Sequence, residues 1–265
     1  KIGDEVDIMW TKQGNINTAK LQINYDTVVD PNDYVALTDG HPIPSNTQAI
    51  DISGVVAGDG YYHFAWKIPD IAGMTGTNIK LRVVDASDGN DDIYSTLASN
   101  ITILGDVFLT NPLGTETPQD IYLVGQSVTI DGSVFGPIGN VKLFYNVSGG
   151  AYTNGIDGVA GGFLAAVNPG DKTFSKSWIL PPDMPLNVDI KVRSEDETNN
   201  NVGQNSTWPF AVKGTLSITA PTAASPAFVA NTNYVVKWDK TGLIGNSVVE
   251  YAVNAANAAG YYDNE

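Results

Sequence analysis

The chain has no cysteine among its 265 residues. Disulfides, thiolate metal sites and cysteine nucleophiles are therefore excluded. Histidine is scarce: only His41 and His63 occur. Neither has a serine or aspartate at a recognisable catalytic spacing. There is no His-x-x-x-His pair, no Gly-x-Ser-x-Gly elbow and no phosphate-cradling P-loop. Basic residues are few, 14 Lys and Arg against 29 Asp and Glu, and the net charge is −15. Nucleic-acid phosphates and anionic membrane surfaces are the wrong partners for that sign. No apolar run approaches the ~20 residues that a membrane-spanning helix needs. The first residues, KIGDEVDIMW, include no hydrophobic targeting segment.

What the chain does have is a stretch that occurs three times. It reads GDEVDIMWTKQGNINTAKLQINY from Gly3 to Tyr25, GQSVTIDGSVFGPIGNVKLFY from Gly125 to Tyr145, and NTNYVVKWDKTGLIGNSVVEY from Asn231 to Tyr251. Three alternate positions form one face in each copy: Val6, Ile8, Trp10; Val128, Ile130, Gly132; Tyr234, Val236, Trp238. A glycine follows (Gly14, Gly136, Gly242), and a second alternating run ends on tyrosine: Leu21, Ile23, Tyr25; Val141, Leu143, Tyr145; Ser247, Val249, Tyr251. Alternation with period two means a strand with one buried face. Two such runs around a glycine-containing turn predict neighbouring strands. The copies are spaced by about the ~100 residues of one β-sandwich domain.

The rest of the chain fits the same period. Tyr62, Phe64 and Trp66 alternate and end at Pro69; Phe174, Trp178 and Pro181 repeat them. Ile79, Leu81 and Val83 are matched to Val188, Ile190 and Val192, and Ile101 and Ile103 to Phe210 and Val212. VFLTNP (Val107–Pro112) and LSITAP (Leu216–Pro221) each open a unit, and proline ends both runs. Short edge pairing is expected at Ala49–Ile52, and a glycine-rich insertion at Gly149–Gly170. The best helical stretch, AANAAG at 255–260, falls at the turn occupied by Ser148-Gly-Gly in the second unit and is read as a turn. Gly132 stands where the other copies have Trp10 and Trp238, so the second core needs another filler, Phe135 or Trp208. The expected class is all-β, with tandem antiparallel two-sheet sandwiches.

Three features invite a functional reading. Asp85, Asp88, Asp91 and Asp92, with Ser87 and Asn90, place many hard oxygen ligands in eight residues. Ca²⁺ takes six to eight oxygens and tolerates irregular loops, but the EF-hand spacing is absent. The loop reads either as a Ca²⁺ site or as a solvated acidic turn. Asn100, Asn146 and Asn205 begin Asn-x-Ser/Thr sequons and are glycosylation candidates. Tyr61, Tyr152, Tyr261 and Tyr262 are the tyrosines least tied to the repeat, candidates for a sugar-stacking platform or simply half-buried strand residues.

The order "SITAP … NYVVKW … G … VVEY", then "W-x-I/L-P", then "KLRVVDASD … NITI", resembles the immunoglobulin-like repeats of large bacterial cell-surface and S-layer proteins, with a likeness to the KNH-type module of fungal wall proteins. It covers essentially the whole chain. The resemblance implies an Ig-like domain over residues 1–105 lacking its first strand, a complete one over 106–213 and a partial one over 214–265, cut from a longer tandem array. It further implies a non-catalytic, extracellular structural protein that associates with neighbouring copies; the acidic loop, where it is a site and not a solvated turn, makes Ca²⁺ the one cofactor expected. An adhesin or carbohydrate-binding module that contacts cell-surface polysaccharide, and spacers of a large secreted enzyme, are the alternatives.

Overall fold

The computed structural model describes residues 1–24, 35–36, 50–51, 58–70, 74–87, 92–222, 224–225 and 227–250. The chain starts with β1 (Glu5–Trp10), β2 (Thr18–Asn24), β3 (Val35–Ala36), β4 (Ile50–Asp51), β5 (Tyr62–Lys67), β6 (Gly76–Asp85), β7 (Tyr94–Thr96) and β8 (Ile101–Ile103). One sheet pairs β1 with β5; the other runs β3-β2-β6-β7, with β4 on β2 and β8 on β6. Both sheets supply one core, which holds Ile2, Trp10, Leu21, Ile23, Trp66, Ile79 and Ile103. Ile8, Leu81 and Val83 pack against it half-buried. Val6, expected inward, is 40% exposed.

A second sandwich follows: β9 (Asp106–Asn111), β10 (Asp120–Leu123), β11 (Ser127–Phe135), β12 (Asn140–Val147), β13 (Asn154–Gly155), a 3-10 turn (Ile156–Gly158), β14 (Phe163–Ala166), β15 (Thr173–Ile179), β16 (Asp189–Asp196), β17 (Gly203–Asn205) and β18 (Phe210–Lys213). One sheet is ordered β15-β11-β9; the other is β10-β18-β16-β12-β13, with β14 on β12 and β17 on β16. Val128, Ile130, Leu143, Trp178, Ile190 and Val192 share its core as their alternation predicts. The fold is all-β, built of tandem Ig-like antiparallel sandwiches, with one parallel pair among the described residues, β10 beside β18. Sequence patterning did not reveal β10. Pro112 and Pro118 lie between β9 and β10, and proline cannot donate to a ladder. The chain leaves the β11 sheet there and joins the opposite one.

Two expectations need correction. The space left by Gly132 is filled by neither Phe135 nor Trp208, which are 38% and 39% exposed. It is filled by Phe174, the residue opposite Gly132 in the β11–β15 register. The strand match of the first two units is also displaced by two residues. Ile79 pairs with Ile101, and its counterpart Ile190 pairs with Phe210. So Ile79, Leu81 and Val83 correspond to Ile190, Val192 and Ser194. A slip of two keeps every side chain on its own face, and alternation alone cannot detect it.

The third unit has β19 (Thr215–Ala220) paired with β20 (Lys237–Thr241). Its register repeats the β9–β11 register, including the irregularity: Leu109 and Asn111 oppose Gly132 and Asp131, and Ile218 and Ala220 oppose Trp238 and Lys237. The expected strand through Ser247 and Val249 is not formed. Its counterpart β12 is held by β16, and no equivalent of β16 exists among the described residues of this unit. A strand without a ladder partner leaves its backbone to water.

Candidate functional site

The acidic loop is reached at the end of β6. Asp85 is buried there, and its carboxylate accepts the Ser87 backbone N–H at 2.9 Å and the Ser87 hydroxyl. The hydroxyl and the N–H of Ser87 both hold the Asp85 carboxyl below its usual range. The second sandwich builds the same turn: Asp196 Oδ1, at the end of β16, accepts the Thr198 N–H at 3.0 Å and its hydroxyl at 3.1 Å. Asp85 is thus a turn-forming residue repeated between units. Asp92 is exposed; Asp88 and Asp91 lie outside the described residues. Among the described residues no group of three or more His, Asp or Glu side chains gathers as a metal site would require.

The sequons divide. Asn100 and Asn205 are exposed; Asn100 donates to Asn78 Oδ1 at 3.0 Å, and Asn205 Oδ1 accepts from Arg193 at 3.1 Å. Asn146 is 4% exposed on β12, and its Nδ2 donates to the Gly150 carbonyl at 2.8 Å. A glycan on that nitrogen is incompatible with this packing, which corrects the expectation for Asn146. The two described candidate tyrosines, Tyr61 and Tyr152, lie on different sandwiches and form no shared platform. Tyr61 is exposed in the first sandwich; Tyr152 is half-buried in the second, with the Arg193 guanidinium 6.0 Å from its ring centre. Tyr261 and Tyr262 lie outside the described residues.

His63 is placed by β5 on the outer face, as alternation predicts. Its Nδ1 lies 2.7 Å from Asp7 Oδ2 on β1, and its Nε2 lies 2.9 Å from Asp59 Oδ2. The bond to Asp7 is the main reason the imidazole is held above its ordinary value, with Asp59 adding to it. The cluster clips β1 to β5 across the sheet.

The arrangement that stands out lies between units. Gly105 joins β8 to β9, and Gly214 joins β18 to β19. A Cβ at Gly105 would meet the Phe135 carbonyl oxygen at 2.7 Å and Ile138 at 3.2 Å. At Gly214 it would meet the Thr241 carbonyl oxygen at 2.6 Å and Ile244 at 2.7 Å. Facing them are Gly136 and Gly242, with φ of +87° and +94°. Any other residue would be strained in that backbone region. A Cβ at Gly136 would approach Gly105 Cα, Ile2 and Thr75 at 3.1–3.3 Å; one at Gly242 would approach Val124, Gly214 Cα and Leu186 at 3.1–3.5 Å. The hydrogen bond beside each joint is also repeated: Ile2 N–H to Leu104 O and Val124 N–H to Lys213 O, both at 2.9 Å.

The first joint carries polar contacts as well. Asp70 Oδ1 accepts the Gly136 N–H at 3.0 Å, and Asp70 Oδ2 accepts from Lys172 Nζ at 2.6 Å. Lys1 Nζ donates to Asp106 Oδ1 at 2.7 Å. Pro182 follows Pro181 where Asp70 follows Pro69, so the second joint has no matching carboxylate. By sequence only a few residues separate Ile103 from VFLTNP and Val212 from LSITAP, so the linkers must be short; the need for glycine at their centre is not evident from that spacing. Gly105 and Gly214 occupy the same slot before VFLTNP and LSITAP, and that coincidence was the available signal.

No protein-family model matches the chain, and no curated protein does. Among solved structures, the chain is similar to a tetra-tandem repeat in the extending region of a large adhesion protein. That match is 15% identical with a TM-score of 0.28, and covers 83% of this chain and 49% of the other. The chain thus spans about half the length of that structure. It is also similar to fibronectin(III)-like modules of Clostridium thermocellum CbhA, 13% identical with a TM-score of 0.23, over 80% of this chain and 84% of the other.

Proposed function

We propose that this chain is a run of stiff, non-catalytic spacer units in an extracellular, cell-envelope protein, where neighbouring copies associate laterally into a surface array. The observation that carries the reading is the repeated joint. Two units in succession are coupled by one glycine closed against a second glycine loop, with an isoleucine over the contact. A flexible tether would need no such match. A joint reproduced in kind gives each unit a similar relation to the next, which is what a tandem spacer requires. The Cys-free composition and the charge of −15 suit an exposed, soluble surface. Residues 1–105, 106–213 and 214–265 are the units of this proposal.

Lateral packing of chains at −15 meets self-repulsion that salt screens only beyond ~8 Å at 0.15 M. Ca²⁺ bridging carboxylates of the 85–92 loop is the relief proposed, with Asp85 itself largely committed to Ser87. Calorimetric Ca²⁺ titration and light scattering of the chain with and without chelator test that part. The spacer reading is tested by small-angle scattering of the chain and of a variant with four Gly-Ser residues inserted after Gly105. Stiff joints require a broader distance distribution in the insertion variant. Superimposable profiles would overturn the reading.

A further inference from the structure

We infer that the outer face of the β15-β11-β9 sheet binds an uncharged polysaccharide strand. Ser127, Thr129 and Ser133 on β11, with Ser175 and Ser177 on β15, alternate with buried residues and form two adjacent rows of outward hydroxyls. Ser127 and Ser177 meet Oγ to Oγ at 2.7 Å. Asp131 lies among them, and its Oδ1 accepts the Ser175 hydroxyl at 2.6 Å. Toward β9 the face carries two rings, Phe108 and Phe135, 37% and 38% exposed. They stand edge to face, with centroids 5.3 Å apart and an interplanar angle of 89°. Asp106, at the margin, is held by Lys1.

The repeat does not require these residues. Trp66 opposes Val6 as Trp178 opposes Val128, which aligns the two sheets position by position. The first unit then has Glu5, Asp7, His63 and Lys67 where the second has Ser127, Thr129, Ser175 and Ile179. The third unit is aligned through the shared β9–β11 and β19–β20 register. It has Ser217 and Thr241 where the second has Phe108 and Phe135, and Asp239 where the second has Ser133. Among the described residues, the second unit alone combines hydroxyl rows with two exposed rings at these positions, in a chain whose net charge is −15.

The chemistry of the face selects its occupant. An aromatic ring is electronegative on its face and takes the polarised C–H side of a sugar ring. A serine or threonine hydroxyl both donates and accepts, as sugar hydroxyls do. Lys176 is the one cation on the three strands; it lies on the inward side and pairs with Asp157. An anionic polymer therefore gains no counter-charge here. Three strands ~4.8 Å apart and about seven residues long at ~3.4 Å each give a face of roughly 340 Å². A second copy of the chain needs about 800 Å² per partner for a stable contact, and it would set one acidic chain against another. A single sugar strand fits the width of the sheet and brings no charge. This inference goes beyond the spacer reading and does not rest on stiff joints.

The test is native affinity electrophoresis of the full chain through gels containing hydroxyethyl cellulose, laminarin, galactomannan or dextran. Carboxymethyl cellulose serves as the charged control. At least one neutral glycan should retard the chain in a saturable way. The double variant Phe108→Ser with Phe135→Thr introduces the residues that the third unit carries, and should weaken that retardation at least tenfold. Ser177→Glu places a charge in the hydroxyl row and should do the same; Ser177 is exposed, so unchanged melting of the second sandwich reports a folded variant. The proposal is overturned if none of the four neutral glycans retards the chain, if both variants are retarded like the parent, or if carboxymethyl cellulose retards it most. Sedimentation showing a dimer that the double variant abolishes would also overturn it, by assigning the face to a second copy.

Discussion

The ring of Phe174 lies over Gly132, so close that a Cβ on that glycine would sit 2.3 Å from its Cζ and 2.2 Å from the Phe108 carbonyl oxygen. The same two register positions in the first sandwich hold Trp10 and Tyr62, stacked side by side. One unit fills this part of its core with two rings, the other with one ring and an absence. Gly132→Ala should therefore destabilise the second sandwich. Alanine ordinarily gains ~0.5–1 kcal/mol over glycine inside a strand. Overpacking costs about 1–3 kcal/mol and wins here, because one of the two contacts is backbone. Phe174→Leu in the same background should not restore stability, since Phe108 O remains. Denaturant melts of the parent and the two variants check this; an alanine variant as stable as the parent would sink the assignment.

Tryptophans at repeated positions should differ sharply in worth. Trp178 is 1% exposed, with its ring centre 5.1 Å from that of Tyr145. Trp178→Ala should cost about 3–5 kcal/mol, from lost transfer energy and the cavity left behind. Trp238 is 40% exposed. Trp238→Ala should fall within about 0.5 kcal/mol of the parent. Thermal unfolding monitored by calorimetry separates the two, and comparable losses at both sites would contradict the difference in burial.

At the first joint, Asp70→Ala removes an acceptor for Gly136 N–H and the partner of Lys172. Lys172 is 43% exposed, so the ion pair is screened and contributes little. The backbone hydrogen bond to a charged acceptor sets the scale, and a loss of about 1 kcal/mol is expected. It should appear as reduced coupling, with the melting transitions of the two sandwiches moving apart. Unchanged separation would show that the glycine packing alone holds the joint.

His63 gives a pH dependence whose sign follows from its partners. Its folded value is raised, chiefly by Asp7. Its contribution is therefore fully present below the unfolded value of about 6.5 and is lost as pH rises through the folded value. Asp59 is shifted down, first by the Tyr61 N–H and then by His63. Its contribution is present above about 3.9 and is lost as pH falls through the lowered folded value. The difference in melting temperature between the parent and His63→Ala should be largest near pH 5–6 and close towards pH 9. A difference constant across that range would mean the cluster does not titrate as a clip.

The long strands of the first two units and most of the faces they bury were readable from the sequence, because period-two alternation and Gly/Pro punctuation are local properties; β10 was not. Trp66 and Trp178 were placed inside on that basis, and they are inside. What alternation cannot carry is identity modulo two: the slip between Ile79 and Ile190 left every face correct and the pairing wrong. The filler over Gly132 was equally hidden, because Phe174 lies far along the chain and meets it only through the β11–β15 register. The third unit makes the same point in reverse. Ser247 and Val249 have a strand's pattern but no strand, because a strand is completed by the backbone of another. Local sequence determined which side of each ribbon is apolar. Tertiary structure decided which ribbons meet, and so where two glycines close a joint and which ring fills the space over Gly132.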